Sequence, residues 1–192
     1  LEFRRVLFRS PSMNKPDTLL NSESPLDRIL LLLILGVGII LRFYHYNNIP
    51  FIHDEISTLF RAYYNSYSSF GEFIDKATRS DVHPPGLLIF IRYWVKIFGD
   101  SPQAVKLPFI LAGVLSMFVA YKIALKWFGP TAALLTAAII STNQYTITFS
   151  LLARPYALGM LFSLLLVYCQ WNYFKRETKR HFWLAEIGRA HV

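Results

Sequence analysis

LDRILLLLILGVGIILRFYHY, residues Leu26 to Tyr46, is the stretch whose reading decides the fold class. Its uninterrupted apolar centre, Ile29 to Leu41, is thirteen residues long, a length shared by short membrane spans and by signal-peptide cores. The flank separates the two. Arg42-Phe43-Tyr44-His45-Tyr46 follows instead of a small-residue cleavage site, and its aromatics suit a membrane interface. The segment reads as an uncleaved first span over residues 26–46, with Arg42 snorkelling outward.

Three further apolar runs read as spans, over about residues 105–127, 131–152 and 156–174. Lys122 and Lys126 close the first of these, and Lys175, Arg176, Lys179 and Arg180 close the last. Positive charge marks cytoplasmic ends. That orientation makes residues 13–25 a short cytoplasmic tail and leaves residues 47–103 and the junction at Arg154 on the outside. In the external segment, Ile56, Leu59, Phe60, Tyr63 and Tyr67 recur at helical spacing, as in a helix lying on the membrane surface. A second helix is expected to start at Pro84-Pro85. Its apolar stretch, Gly86 to Phe98, is short for a span and carries Arg92 and Lys96, so it reads as interfacial or partly inserted. The expected fold is all-α: a polytopic transmembrane protein with interfacial helices in its first external loop.

Composition agrees. Hydrophobic residues make up 54% of the 192 and aromatics 16%, and they come in runs instead of stripes. The net charge of +8 sits between those runs, where it sets topology, and this argues against a nucleic-acid partner. The single Cys169 lies in a span, so no intramolecular disulfide can form. Gly36-Val37-Gly38 is better explained by helix packing than by phosphate binding. Residues 1–10 and 186–192 resemble translations of DNA sequencing adapters. The natural sequence is accordingly expected over residues 13–185, with residues 1–12 non-native and the natural protein continuing past residue 185.

Three polar constellations carry candidate chemistry. In His53-Asp54-Glu55, a carboxylate can deprotonate a hydroxyl or hold a divalent cation; equally, Asp54 can cap the following helix with Glu55 favourable against its dipole. In Asp81-Val82-His83-Pro84-Pro85, His83 can donate to a phosphate or bind a metal, or can be a solvated histidine at a helix start. In Ala153-Arg154-Pro155-Tyr156, the guanidinium fork suits a phosphate and Tyr156 can add a hydrogen bond, or Arg154 can snorkel beside an aromatic anchor. Upstream, Ser141, Thr142, Asn143, Gln144, Thr146, Thr148 and Ser150 load one span with polar groups. These either line an outward-facing cavity or bond between helices.

The order of these features resembles one family: a first span, Asp-Glu, His-Pro-Pro, a Lys-Leu-Pro-Phe span start, a Lys-Trp-Phe-Gly turn, and a polar span ending in Ala-Arg-Pro-Tyr. It is similar to the bacterial glycosyltransferase family 39-like group, whose membrane-embedded GT-C fold is shared by protein O-mannosyltransferases and aminoarabinose transferases. The resemblance covers residues 26–176 as the N-terminal part of such a domain. It implies an enzyme of the bacterial cytoplasmic membrane that moves a sugar from a polyprenyl-phosphate carrier to a lipid, glycan or protein acceptor on the outer face. Asp54 would be the base or would position the acceptor, Glu55 would support it, and His83, Arg154 and Tyr156 would be the donor-side contacts. It requires no cofactor and leaves room for a divalent cation. Two other classes compete: a transporter or flippase for a lipid-linked substrate, and a non-catalytic assembly subunit.

Overall fold

The computed structural model describes residues 24–44, 46–80 and 85–176. Among them every regular element is helical: α1 (Pro25–Phe43), α2 (His53–Leu59), α3 (Phe70–Ser80), α4 (Pro85–Phe98), α5 (Pro102–Phe128), α6 (Pro130–Thr142), α7 (Gln144–Ser150) and α8 (Pro155–Arg176). A 3-10 turn covers Tyr46–Asn48, and α2 runs on into a π turn over Phe60–Tyr64.

Local chemistry sets the helix starts. Ser24 and Asp27 cap α1 reciprocally: the Ser24 Oγ accepts from the Asp27 amide at 3.1 Å and Asp27 Oδ2 accepts from the Ser24 amide at 2.8 Å. Ser101 accepts from the Ala104 amide to open α5, with Pro102 in the first turn. Pro108 lies inside α5 and lacks the N–H that would bond to the Ala104 carbonyl. That carbonyl is taken instead by the Trp94 indole N–H, at 2.8 Å, which ties α4 to the start of α5. Gly129, at φ 89°, reverses the chain between α5 and Pro130 of α6.

α5 is the central helix, packed against α6 and α8, and α1 packs on α6. Small side chains bring α5 and α6 close: Ala133 and Ala137 bury completely against Tyr121 and Ala124. Gly38 serves the same end in α1, since a Cβ there would stand 2.6 Å from the Met117 sulfur and 3.0 Å from Ser141 Cβ. Gly36 faces open space, so the packing explanation applies to Gly38 alone. Helices α2, α3 and α4 cover one end of this bundle, where Leu59, Phe73, Leu88 and Ile91 meet Val105, Phe109 and Ala157. Both ends of α4 stay at that end: Leu87 shares a groove with Pro155 and Leu158 of α8, and Trp94 reaches α5.

Large apolar side chains face outward while several ionic groups are buried. Leu32, Leu33 and Ile40 on α1, Leu115 and Phe118 on α5 and Ile139 on α6 face outward, while Arg42, Glu55, Lys106 and Arg154 are buried. A continuous apolar exterior around ionic groups is the pattern of a chain solvated by lipid. Helix α5 is long and apolar enough to cross a membrane, and α7 with α8 meets the same measure as a pair bent by 112°.

Two expectations are corrected. The run over residues 131–152 is not one helix. Asn143 leaves the helical conformation and its Oδ1 accepts from the Tyr145 and Thr146 amides, so α6 ends and α7 begins there. Arg42 does not snorkel outward. It is fully buried, and its guanidinium donates to the carbonyls of Gly38 (3.0 Å), Ser141 (3.1 Å) and Ile140 (3.2 Å) and to the Thr146 hydroxyl (3.3 Å). The reason is the break itself: the last carbonyls of α6 have no helical partner, and a cationic donor satisfies several at once. Thr146 also donates within the break, to Ile140 and Asn143 carbonyls, and Ser150 Oγ donates to the Ile147 carbonyl. Asn143, Thr146 and Ser150 are thus engaged in internal hydrogen bonding, while Gln144 and Thr148 are exposed.

Candidate active site

The site forms where three separated segments meet: the start of α2, the first turns of α5 and the α7–α8 junction. Glu55 lies at their centre, with its side chain fully buried. Its Oε2 accepts from the Ile52 amide at 2.9 Å, closing the start of α2, and lies 3.1 Å from Nζ of Lys106 in α5. Its Oε1 accepts from the Ala153 amide at 2.6 Å. Lys106 is equally enclosed and also donates to the Pro50 carbonyl at 2.9 Å. A charge of either sign alone in this position would carry a desolvation cost of several kcal/mol. The pair, with three hydrogen-bonding partners around it, offsets that cost.

Asp54 is the neighbour that points away. Its side chain is 61% exposed, and Oδ2 lies 3.9 Å from Nη2 of Arg154. Arg154 is nearly enclosed and donates through Nη1 to Thr58 Oγ1 at 2.9 Å. Thr58 in turn donates to the Asp54 carbonyl at 2.9 Å. One hydroxyl, four residues along α2 from Asp54, therefore holds the arginine over the carboxylate. His53 is almost fully exposed, with Nδ1 3.8 Å from Asp54 Oδ1.

Chemically, this is an accessible carboxylate beside an immobilised guanidinium. The carboxylate can take a proton, and the guanidinium can hold an anion. Asp54, Glu55 and Arg154 thus come together from the two ends of the chain. Tyr156 follows in the first turn of α8, half-exposed, with its ring 4.8 Å from that of Phe149. Beside it, Gly86, Leu87 and Phe90 of α4 and Pro155, Leu158 and Phe162 of α8 line an apolar groove of about 300 Å³. His83 and Asp81 lie outside the described residues. Among the described residues, no three His, Cys, Asp or Glu side chains converge as a metal site.

Sequence reasoning treated Asp54 and Glu55 as one unit, whereas the fold separates them by burial. It missed Thr58 and Lys106. A signal for Lys106 existed: a lysine opening an apolar run needs a buried partner. No comparable signal marked Thr58.

A family profile described as dolichyl-phosphate-mannose-protein mannosyltransferase matches residues 82–188. The match includes His83, Lys106, Arg154 and Tyr156, with Asp54 and Glu55 upstream of it. Neither a curated protein nor a solved structure matches the chain.

Proposed function

The chain belongs to the dolichyl-phosphate-mannose-protein mannosyltransferase family, a family of membrane glycosyltransferases, and from that premise we propose the following reaction. A sugar passes from a polyprenyl-phosphate donor to a hydroxyl of a lipid, glycan or protein acceptor, on the outer face of a bacterial cytoplasmic membrane crossed several times by the chain. The observation that carries the reading is the juxtaposition of exposed Asp54 with buried Arg154, 3.9 Å apart.

The acceptor O–H gives its proton to Asp54 as its oxygen bonds to the anomeric carbon. The bond from that carbon to the phosphate oxygen breaks, and the electron pair leaves with the polyprenyl phosphate. The departing group gains negative charge, which Arg154 stabilises without reorganising, because Thr58 already holds it. A sugar ring cannot fit between groups 3.9 Å apart. Donor binding therefore opens the pair, and Asp54, the exposed partner, is the one that moves. Glu55 supports Asp54 from behind, and His83 and Tyr156 are assigned to the donor side. A divalent cation is compatible with this scheme, and no step depends on one.

The test is release of polyprenyl phosphate from a labelled polyprenyl-phosphate mannose in membranes carrying full-length protein. Asp54→Asn is expected to lower release at least about 100-fold, within the range for loss of a general base. Near-normal release by that variant would remove Asp54 from the chemistry.

A further inference from the structure

Lys106 is distant from the reacting groups in sequence and sealed from solvent, yet it pairs with the carboxylate of the residue beside Asp54. We infer that Lys106 is a positioning residue for transfer, acting through Glu55; this rests on the reaction proposed above. Glu55 uses both of its oxygens. One accepts the Ile52 amide at the start of the helix that carries Asp54, and the other accepts the amide of Ala153, immediately before Arg154. A single carboxylate therefore sets the spacing between the base and the guanidinium. Both oxygens are engaged by these amides, and the adjacent Lys106 ammonium group, 3.1 Å away, offsets the cost of burying the carboxylate. Lys106 also holds the Pro50 carbonyl, which fixes the approach of the chain to α2.

Three features separate this role from simple packing. The carboxylate bridges two segments 98 positions apart, it has no route to substrate because it is fully buried, and its counter-ion comes from a third segment. A misplacement of about 1 Å between reacting groups costs about 100-fold in rate, so the bridge acts on turnover more than on binding.

The experiment compares four forms of the full-length protein in membranes: wild type, Asp54→Asn, Lys106→Met and the double variant Glu55→Gln/Lys106→Met. Turnover and KM are measured with labelled polyprenyl-phosphate mannose, and thermal unfolding is measured in detergent. Lys106→Met is expected to lower kcat about 100-fold and to leave KM within about twofold. The double variant removes the stranded buried carboxylate, so its melting temperature recovers. Its kcat stays low, because a glutamine amide presents one oxygen to two backbone N–H groups. The double variant also carries the test if Lys106→Met alone does not accumulate. Recovery of kcat together with stability would reduce the pair to packing and overturn the inference. So would an unchanged kcat in Lys106→Met while Asp54→Asn is inactive. Activity in Asp54→Asn would instead overturn the reaction scheme itself.

Discussion

Oδ2 of Asp54 lies 3.9 Å from Nη2 of Arg154, and the same arginine donates through Nη1 to Thr58, whose hydroxyl donates to the Asp54 carbonyl. The loop closes on itself: the residue proposed to take the proton is linked through its own backbone to the group that holds the arginine. The two residues lie far apart in the chain, and α2 meets the α7–α8 junction directly through the Glu55–Ala153 and Arg154–Thr58 hydrogen bonds.

Thr58 is therefore expected to matter for turnover although it contacts no reacting atom. Thr58→Val removes the acceptor for Arg154 at almost constant volume. Hydrogen bonds to charged groups contribute about 1.5–3 kcal/mol, so transfer should fall about tenfold or more. Thr58→Ser should retain it. Steady-state kinetics on the two variants checks the contrast.

Arg42 is expected to dominate the stability of the α6–α7 break. Arg42→Met takes the donor from the Ser141 carbonyl, while the Ile140 carbonyl keeps the Thr146 hydroxyl. A buried unsatisfied group costs about 1–3 kcal/mol, so unfolding in detergent should shift by about that much. Arg42→Lys, with one donor centre in place of a fork, should fall between the two. An Arg42→Met protein as stable as wild type would show that the break does not depend on this residue.

The glycines of α1 and α5 give a paired prediction. A Cβ at Gly113 would stand 2.6 Å from Ser150 Cβ and 3.3 Å from Arg42 Nε, whereas one at Gly36 meets nothing within 4 Å. Gly113→Ala should destabilise by about 1–3 kcal/mol through overpacking. Gly36→Ala should be neutral or slightly stabilising. Melting temperatures of the two variants in the same detergent decide it.

Glu72 carries the clearest pH signature outside the spans. Hydrogen bonds from Lys76 and from the Ser68 hydroxyl and amide hold its carboxyl at about 2, against 4.5 ordinarily. The folded value is depressed, so the stabilisation is present above about 4.5 and is lost as pH falls toward 2. Carbon NMR of the labelled carboxyl should show a midpoint near 2, and Lys76→Met should move it upward.

Much of the architecture was legible as composition. Apolar runs without stripes indicate helices solvated by lipid, because a backbone in hydrocarbon must bond to itself. The placement of Asp54 and Arg154 near one end of the bundle was legible too, from the flanks of those runs. Arg42 was misread because snorkelling is the usual fate of arginine at a span end, whereas the break at Asn143 supplies the Ile140 and Ser141 carbonyls for it. That break was written in residues 141–150 as polarity, but polarity alone does not tell a lined cavity from an internal hydrogen-bond network.

The sequence by itself determined an all-α membrane chain with an acidic pair and an arginine near one end of its bundle. It did so because hydrophobic runs and their charged flanks respond to the solvent, which acts on every residue independently of its neighbours. Only the tertiary structure decided that Glu55 is buried and Asp54 exposed. Adjacent residues in a helix point about 100° apart, and which of them faces the core depends on what packs there. Here it is Lys106, whose ammonium group makes burial of one carboxylate tolerable and leaves the other in reach of Arg154.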